Sequence, residues 1–370
     1  MFIVIALVFL VLYAALVFYI GRSSYRWLGP KASSKRFKWI YSIVLAIVAS
    51  SFFLGQFTDQ AFLGVIGAYW MAVFYLLLIL VPLAQITVRL LRFTRLPHQR
   101  VQAWSGAVVL LLLVSFLTYG IYNAYNPVLR TYEIHIEKDV PSVSSLTVVM
   151  AADMHFGLLS GRDHAERLVE EINKLDADLI LFPGDVFDDD IRPYVDQGID
   201  EVLSQIESTY GVYASLGNHD RYDGPTEDMI AVLENSNMHV LYDESVVVAD
   251  SLTLVGRRDH SDDGREELAP LMDGIDLSKP VILLDHQPYD LDIAQEQGID
   301  LMVSGHTHRG QVFPGNLITD AMYENDWGYL QKEQLHSIVT SGYGFWGPPI
   351  RIGSRSELVK IDVTFGETTS

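Results

Sequence analysis

Apolar residues are distributed along this chain in two ways. Through the first third they form long unbroken runs, at roughly 2–20, 38–57, 62–88 and 103–125. A helix needs about 20 apolar residues to cross the hydrocarbon of a bilayer, so the pattern predicts four spanning helices. Four runs with so little internal charge are out of place in the core of a water-soluble domain. Trp27, Trp39, Tyr41, Trp70, Trp104, Tyr119, Tyr122 and Tyr125 fall near the run ends and are expected in interfacial belts. The first run has no base before Arg22 and no small-residue cleavage signal, which favours a retained helix over a leader peptide.

Beyond residue 125 the apolar runs are short and regularly interrupted. Asn126-Pro127 ends the last long run, and Tyr132, Ile134 and Ile136 then alternate with polar neighbours as in a half-buried strand. Residues 146–150 are apolar apart from Thr147, as in a strand covered on both faces. Helical spacing over 164–175 leads to an apolar run at 179–182. A helix around 197–207 leads to a run at 212–216, and further runs follow at 252–255, 281–284 and 301–303. Strands alternating with helices predict an α/β domain with buried sheets. The expected organisation is a four-helix transmembrane region at 1–125, a linker with the first strand at 126–145, and the α/β domain at 146–370.

Charge divides at the same place. Residues 1–125 hold ten bases and one acid, Asp59, for a net +9, and the remainder is net −29. So acidic a segment repels nucleic acid and anionic lipid surfaces. Six bases, Arg22, Arg26, Lys31, Lys35, Arg36 and Lys38, lie after the first run and up to the first residue of the second, and four lie between the third and fourth, whereas Asp59 is the one charge between the second and third. Excess Lys and Arg marks the cytoplasmic side. The expected location is therefore the plasma (inner) membrane, with everything after Tyr125 outside the cytoplasm. Cysteine is absent, which excludes disulfides, thiolate metal sites and cysteine nucleophiles.

Five polar clusters change the picture most. They are Asp153-Met154-His155, Gly184-Asp185-Val186-Phe187-Asp188, Gly217-Asn218-His219-Asp220, His286, and Gly305-His306-Thr307-His308. Each follows an apolar run, so each belongs at a strand's carboxyl end, where ligands of α/β domains bind. Carboxylates, an amide oxygen and imidazoles without sulfur suit Mn, Fe or Zn. A carboxylate can bridge two such ions. With a bridging hydroxide, two divalent ions against Asp153 and Asp185 leave a core near +1. Inside a strongly acidic domain, such a focus favours an anionic reacting group, and phosphate fits.

The ordered set Asp-x-His, Gly-Asp-x-x-Asp, Gly-Asn-His-Asp, His and Gly-His-x-His resembles the calcineurin-like metallophosphoesterases over about residues 145–362. The closing segment Gly342-Tyr343-Gly344-Phe345-Trp346-Gly347-Pro348-Pro349-Ile350-Arg351 resembles a bacterial membrane-anchored branch of that family, which includes UDP-2,3-diacylglucosamine-pyrophosphatase-like and phosphodiesterase-like proteins. The resemblance implies two mixed β-sheets packed as a sandwich and flanked by helices. It implies one metal held by Asp153, His155, Asp185 and His308, and a second by Asp185, Asn218, His286 and His306. It also implies in-line attack on phosphorus by a metal-bridging hydroxide, with His219 donating a proton to the leaving oxygen and Asp220 orienting its ring.

Other polar residues have more ordinary readings. Asp188 is expected to cap or brace. Asp163, Asp189 and His164 are expected at the surface. His135, His239, His260 and His336 lie outside any cluster. Asp285 should point away from His286, and 259–267 reads as a solvated acidic loop. Arg309 and Arg351 are placed to clamp a phosphate or to pair at the surface. Leu158, Leu159, Tyr343, Phe345 and Trp346 either pack in the core or reach toward lipid. The function expected is a membrane-anchored dimetal phosphohydrolase acting on a phosphodiester, pyrophosphate or phosphomonoester, with a lipid-linked substrate suited to its tether. Against it stand an anchored nucleotide or cell-envelope phosphodiesterase, a non-catalytic metal-binding sensor, and a transporter with a regulatory outer domain. The sensor reading would suit a chain that lacked a ligand, and this one has the full set. The transporter reading would suit charge inside the runs.

Overall fold

The computed structural model describes residues 2–28, 34–58, 60–140, 143–220 and 225–366; Lys31 and Asp59, used above for orientation, lie outside them. The chain forms two compact units, one of Met1–Ile121 with Gly347–Ile350 and one of Tyr122–Trp346 with Arg351–Ser370.

The first unit holds α1 (Phe2–Trp27), α2 (Lys35–Phe57), α3 (Ala61–Leu91) and α4 (His98–Tyr125), which continues into the second. All four are long and apolar enough to cross a membrane, and most of their large apolar side chains face outward. Inward contacts are few and specific. Tyr13 donates to the carbonyl of Ala49 at 2.8 Å and accepts from Trp70 Nε1 at 2.6 Å. Trp70 is therefore packed inside the unit rather than set in an interfacial belt. Gly55 and Gly64 let α2 and α3 approach closely, because a Cβ on Gly55 would stand 2.8 Å from the Gly64 backbone.

The second unit begins with β1 (Val128–Ile136), β2 (Ser145–Met150), α5 (Arg162–Asn173), β3 (Leu179–Pro183), α6 (Arg192–Asp196), α7 (Ile199–Leu203), β4 (Val212–Ser215), α8 (Thr226–Asn235) and β5 (Met238–Val240). It continues with β6 (Glu244–Val248), β7 (Leu252–Gly256), α9 (Leu268–Leu271), β8 (Val281–Leu284), α10 (Leu291–Glu296), β9 (Leu301–Ser304), α11 (Gly315–Met322), β10 (Gly328–Lys332), β11 (Leu335–Val339) and β12 (Glu357–Phe365). The first sheet runs β1-β12-β2-β3-β4-β5 and the second β10-β11-β9-β8-β7-β6. Both are mixed. β2, β3, β4 and β5 are parallel, as are β7, β8, β9 and β11.

Side-chain alternation explains the layers. Leu179 and Leu181 of β3 enter a core shared with Leu252, Ile282 and Val303 of the second sheet. Ile180 and Phe182 point the other way, against Leu168 and Ile172 of α5 and Met229 and Leu233 of α8. Val255, Val281 and Leu283 likewise meet Leu268 and Leu291 beyond the second sheet. The result is the expected sandwich of two mixed sheets flanked by helices.

The structure refines three readings. The helix around 197–207 is the shorter α7, set off from the preceding α6 by Gly198 with its left-handed φ of 61°. The acidic loop at 259–267 is mostly exposed, as expected, but is pinned at two points: Asp259 is buried against Gln287, and Arg265 reaches Asp285 at 2.6 Å. β12, whose residues alternate apolar and polar but which is not among the expected strands, lies between β1 and β2 with full registers to both.

Candidate metal centre

Each cluster sits just past a strand's carboxyl end: Asp153 and His155 after β2, Asp185 after β3, Asn218 and His219 after β4, His286 after β8, and His306 and His308 after β9. The loops are laced together by backbone. The amides of Asp153 and His155 donate to the carbonyls of Gly184 and Asp185, both at 3.1 Å, and Gly305 N donates to His286 O at 2.9 Å. Asp153, His155, Asp185, His306 and His308 all have φ between 45° and 70°. For non-glycine residues such strain persists only where surrounding bonds over-determine it, as at functional sites. Gly184 and Gly217 make the closeness possible. A Cβ on Gly184 would stand 2.5 Å from His286 Nδ1, and one on Gly217 would run into the Asp185 carboxylate.

The ligand-type atoms converge in two groups, Asp153 with His155 and His308, and Asp185 with His286 and His306, each spanning less than 4.8 Å. His155 Nε2 and His308 Nε2 face one another at 3.1 Å, and His308 Nε2 is 3.4 Å from Asp153 Oδ1. Asp185 Oδ2 lies 3.1 Å from His286 Nε2 and 3.7 Å from His155 Nε2, so it stands between the groups. Asn218 Oδ1 joins the second group, 2.8 Å from His306 Nδ1.

These residues fit divalent cations. His286 Nδ1 faces the carbonyl of Pro183 at 2.9 Å, leaving Nε2 buried without a hydrogen-bond partner and aimed at Asp185. That is how protein holds an imidazole for a metal. The carboxylates are aimed by backbone, His219 N donating to Asp185 Oδ1 at 2.8 Å and His306 N to Asp153 Oδ1 at 2.9 Å. Burial pushes Asp153 up to about 6, a cost that a nearby cation removes. Burial also opposes Asp185, but His286 and its neighbouring imidazoles outweigh it and hold that carboxyl below the usual range. Burial and the Arg351 charge keep His308 neutral, as a ligand must be.

Four side chains are not where the sequence put them. Asp220 does not orient His219: its carboxylate accepts the backbone N–H groups of Asp185 (2.7 Å), Phe187 (2.8 Å) and Gly217 (2.8 Å). Asp189, read as a surface acid, makes that contact instead, with Oδ1 2.9 Å from His219 Nδ1. Burial disfavours the charged ring of His219, but Asp189 and Asp185 raise its pKa above the ordinary value. Arg351 is fully buried and cannot clamp substrate. It donates to the carbonyls of Ser341 (2.6 Å) and Gly344 (2.7 Å) and backs His308 Nδ1 at 2.9 Å. His164 is buried too, 3.4 Å from the carbonyl of Tyr343.

The remaining candidates divide. Arg309 lays its guanidinium over Trp327, 3.6 Å from the ring centre. Asp188 Oδ1 approaches His155 Nδ1 at 3.4 Å, a bracing contact. Asp285 turns away from the centre to pair with Arg257 and Arg265. Tyr343 and Phe345 are core residues, whereas Trp346 is exposed with its ring 5.6 Å from His219. A cleft of about 760 Å³ opens beside Asn218, lined by Asp189, Asp190, Arg192, Tyr242 and Asp259.

Known proteins are similar to this chain. The family model for calcineurin-like phosphoesterases matches residues 146–310. An uncharacterised metallophosphoesterase of Helicobacter pylori strain J99 is 32% identical over 259 residues, covering 67% of this chain and 67% of its own. A transmembrane protein with a metallophosphoesterase domain from Danio rerio is 31% identical over 280 residues, covering 70% and 63%. The solved structure of a dimetal phosphatase from Danio rerio is 13% identical, covers 59% of this chain and 98% of that one, and gives a TM-score of 0.38. Sequence likeness of this extent, over the segment that carries all five clusters, makes the chain a member of the calcineurin-like metallophosphoesterases, a family of metal-dependent phosphoester hydrolases.

Proposed function

We propose that residues 1–125 anchor this chain in the plasma membrane, that 126–145 lead into the catalytic fold, and that 146–370 hydrolyse a phosphodiester, pyrophosphate or phosphomonoester outside the cytoplasm. A lipid-linked substrate suits the tether. The observation that carries the catalytic part is the convergence of two ligand groups on either side of Asp185, with His219 beside them.

Asp153, His155 and His308 would hold one ion, Asn218, His286 and His306 the other, and Asp185 both. When bound, two divalent ions (Mn, Fe or Zn) would supply Lewis acidity toward the phosphate oxygens and acidify a water. The protein's own groups do the rest. His219 holds a proton for the leaving oxygen, and the Asp189 carboxylate at its Nδ1 favours the protonated ring. Asp189 fixes the ring by its contact at Nδ1, leaving Nε2 for the reacting side. Asp220 ties the Asp185 and His219 loops into one piece. Nucleic acid is not expected as a partner of so acidic a domain.

The test is a pair of variants of the full chain, purified in detergent with Mn and assayed on a soluble phosphodiester and a soluble phosphomonoester, each with an alkoxide leaving group. His219→Ala should keep its metal and lose most turnover, whereas Asp185→Ala should lose both. Full activity in either variant would overturn the assignment.

A further inference from the structure

The helix α11 is amphipathic in the wrong sense for a soluble domain. Leu317, Ile318 and Met322, with Phe313 just before the helix, are each more than half exposed, and no residue of the helix is buried. The inward side is polar: Thr319 donates to Asp326 Oδ2 at 2.7 Å and to the carbonyl of Asn316 at 3.2 Å. Trp346, also more than half exposed, is tied to the same place, with Gln311 Nε2 donating to its carbonyl at 2.8 Å and its N–H donating to Gln311 Oε1 at 2.9 Å. An outward apolar face of this kind marks a surface that is covered in use.

The chain around it says by what. The strand-like stretch before α11 pairs with the segment 351–356: Phe313 N donates to Ile352 O at 2.6 Å, Ile352 N to Gln311 O at 3.0 Å, and Ser354 Oγ to Gln311 O at 2.9 Å. That same segment grips the last turn of α4. Asn123 Nδ2 donates to Arg351 O at 3.2 Å, Ser356 N to Asn123 O at 3.1 Å, Ser356 Oγ to Ala124 O at 2.8 Å, and Arg355 Nε to Asn126 O at 3.1 Å. Six residues span at most about 20 Å. The foot of an apolar helix long enough to span a bilayer and the outward face of α11 are thus fastened to one short strap.

We propose that the outward face of α11, with Phe313 and Trp346, lies in the headgroup and acyl boundary of the bilayer, and that this contact presents bilayer-held phosphoesters to the metal centre. The second clause rests on the hydrolase reading above. Trp346 is the link, its backbone hydrogen-bonded to Gln311 two residues before Phe313 and its ring 5.6 Å from His219. The charged residues flanking the apolar face are Asp320 and Glu324, both exposed. The contact is therefore apolar rather than electrostatic, and should not strengthen with anionic lipid.

The natural absence of cysteine makes the test direct. Leu317→Cys, Ile318→Cys and Asp320→Cys are made singly in the full chain, labelled with a nitroxide, and placed in nanodiscs of phosphatidylethanolamine and phosphatidylglycerol. Labels at 317 and 318 should relax faster with oxygen than with a water-soluble nickel chelate, and the label at 320 the reverse. Nickel access at 317 and 318 equal to that at 320 would overturn the proposal. So would shielding from both relaxants, which would mean that a protein partner or a second copy covers this face.

A second arm tests delivery. Leu317→Glu with Ile318→Glu should leave hydrolysis of a soluble nitrophenyl phosphodiester unchanged. It should slow hydrolysis of an alkyl-chained nitrophenyl phosphodiester held in the same bilayer by roughly tenfold or more. Equal loss on both substrates, or no loss on either, would overturn delivery. Failure of the parent protein on the soluble ester would sink the hydrolase reading itself, while the label depths still decide the membrane contact.

Discussion

Asp189 touches His219 from one position past the acid that the Gly-Asp-x-x-Asp spacing singles out. Replacing it by Asn keeps the shape and removes the charge that favours a protonated ring. Asp189→Asn should lower kcat by roughly ten- to a hundredfold with metal content intact. The loss should be small for a nitrophenolate, which departs without a proton, and large for an alkoxide; rates across leaving groups of graded pKa check this. Asp220→Ala acts differently. It strands the backbone N–H groups of Asp185, Phe187 and Gly217, costing about 1–3 kcal/mol for each that stays buried and unpaired. Its signature should be lost metal and a lowered melting temperature, with no selectivity among leaving groups. The chemistry of ligands such as Asp153 and His306 was legible because strand ends are marked by an abrupt change from apolar to polar, and few residue types bind metal. The choice among Asp188, Asp189 and Asp190 was not. Three consecutive loop acids point three ways, and the loop's path depends on distant hydrogen bonds such as those of Asp220.

Among the elements, α5 carries the clearest pH sensitivity. Burial holds His164 at about 4 against an ordinary 6.5, with the Arg167 and Arg351 charges adding to the effect. Its folded pKa is lowered, so the ring's contribution is complete above pH 6.5 and is lost as pH falls from there toward 4. The loss is on the order of 3 kcal/mol. His164→Gln should flatten the fall in melting temperature over that window. Asp285, between β8 and His286, offers a second check. It is buried between Arg257 and Arg265, and Asp285→Ala leaves two buried guanidinium groups without their carboxylate. The expected cost is about 3–5 kcal/mol by denaturant titration. Apolar patterning carried most elements: 179–182 reads as a covered strand because every position is apolar, and 146–150 because every position but Thr147 is. It misjudged His164, whose place on the buried face of α5 depends on Tyr343 far along the chain. It also passed over β12, where Val359, Ile361 and Val363 alternate with Lys360, Asp362 and Thr364 in a pattern whose partners are more than 200 residues away.

For the whole molecule, metal and orientation are the first quantities to measure. A chelator should lower the melting temperature, since ions bound by the folded centre but not the unfolded chain contribute about 2.7 kcal/mol at a hundredfold excess over Kd. A C-terminal reporter active only outside the cytoplasm would agree with the basic loops, and one active only inside would reverse the topology. The strand order of the first sheet has a further consequence for how the molecule is made. β1 and β2 are neighbours in the chain but not in the sheet, because β12 lies between them. The ribosome therefore synthesises the flanking strands first and the middle one last. Until about residue 357 emerges, β1 and β2 wait with edges open, and the strap that holds the foot of α4 does not exist. With the export proposed above, the catalytic half would cross the bilayer as an unfinished chain and close only when β12 arrives. It would then take up its metals in the compartment where it works, rather than in the one where it was translated.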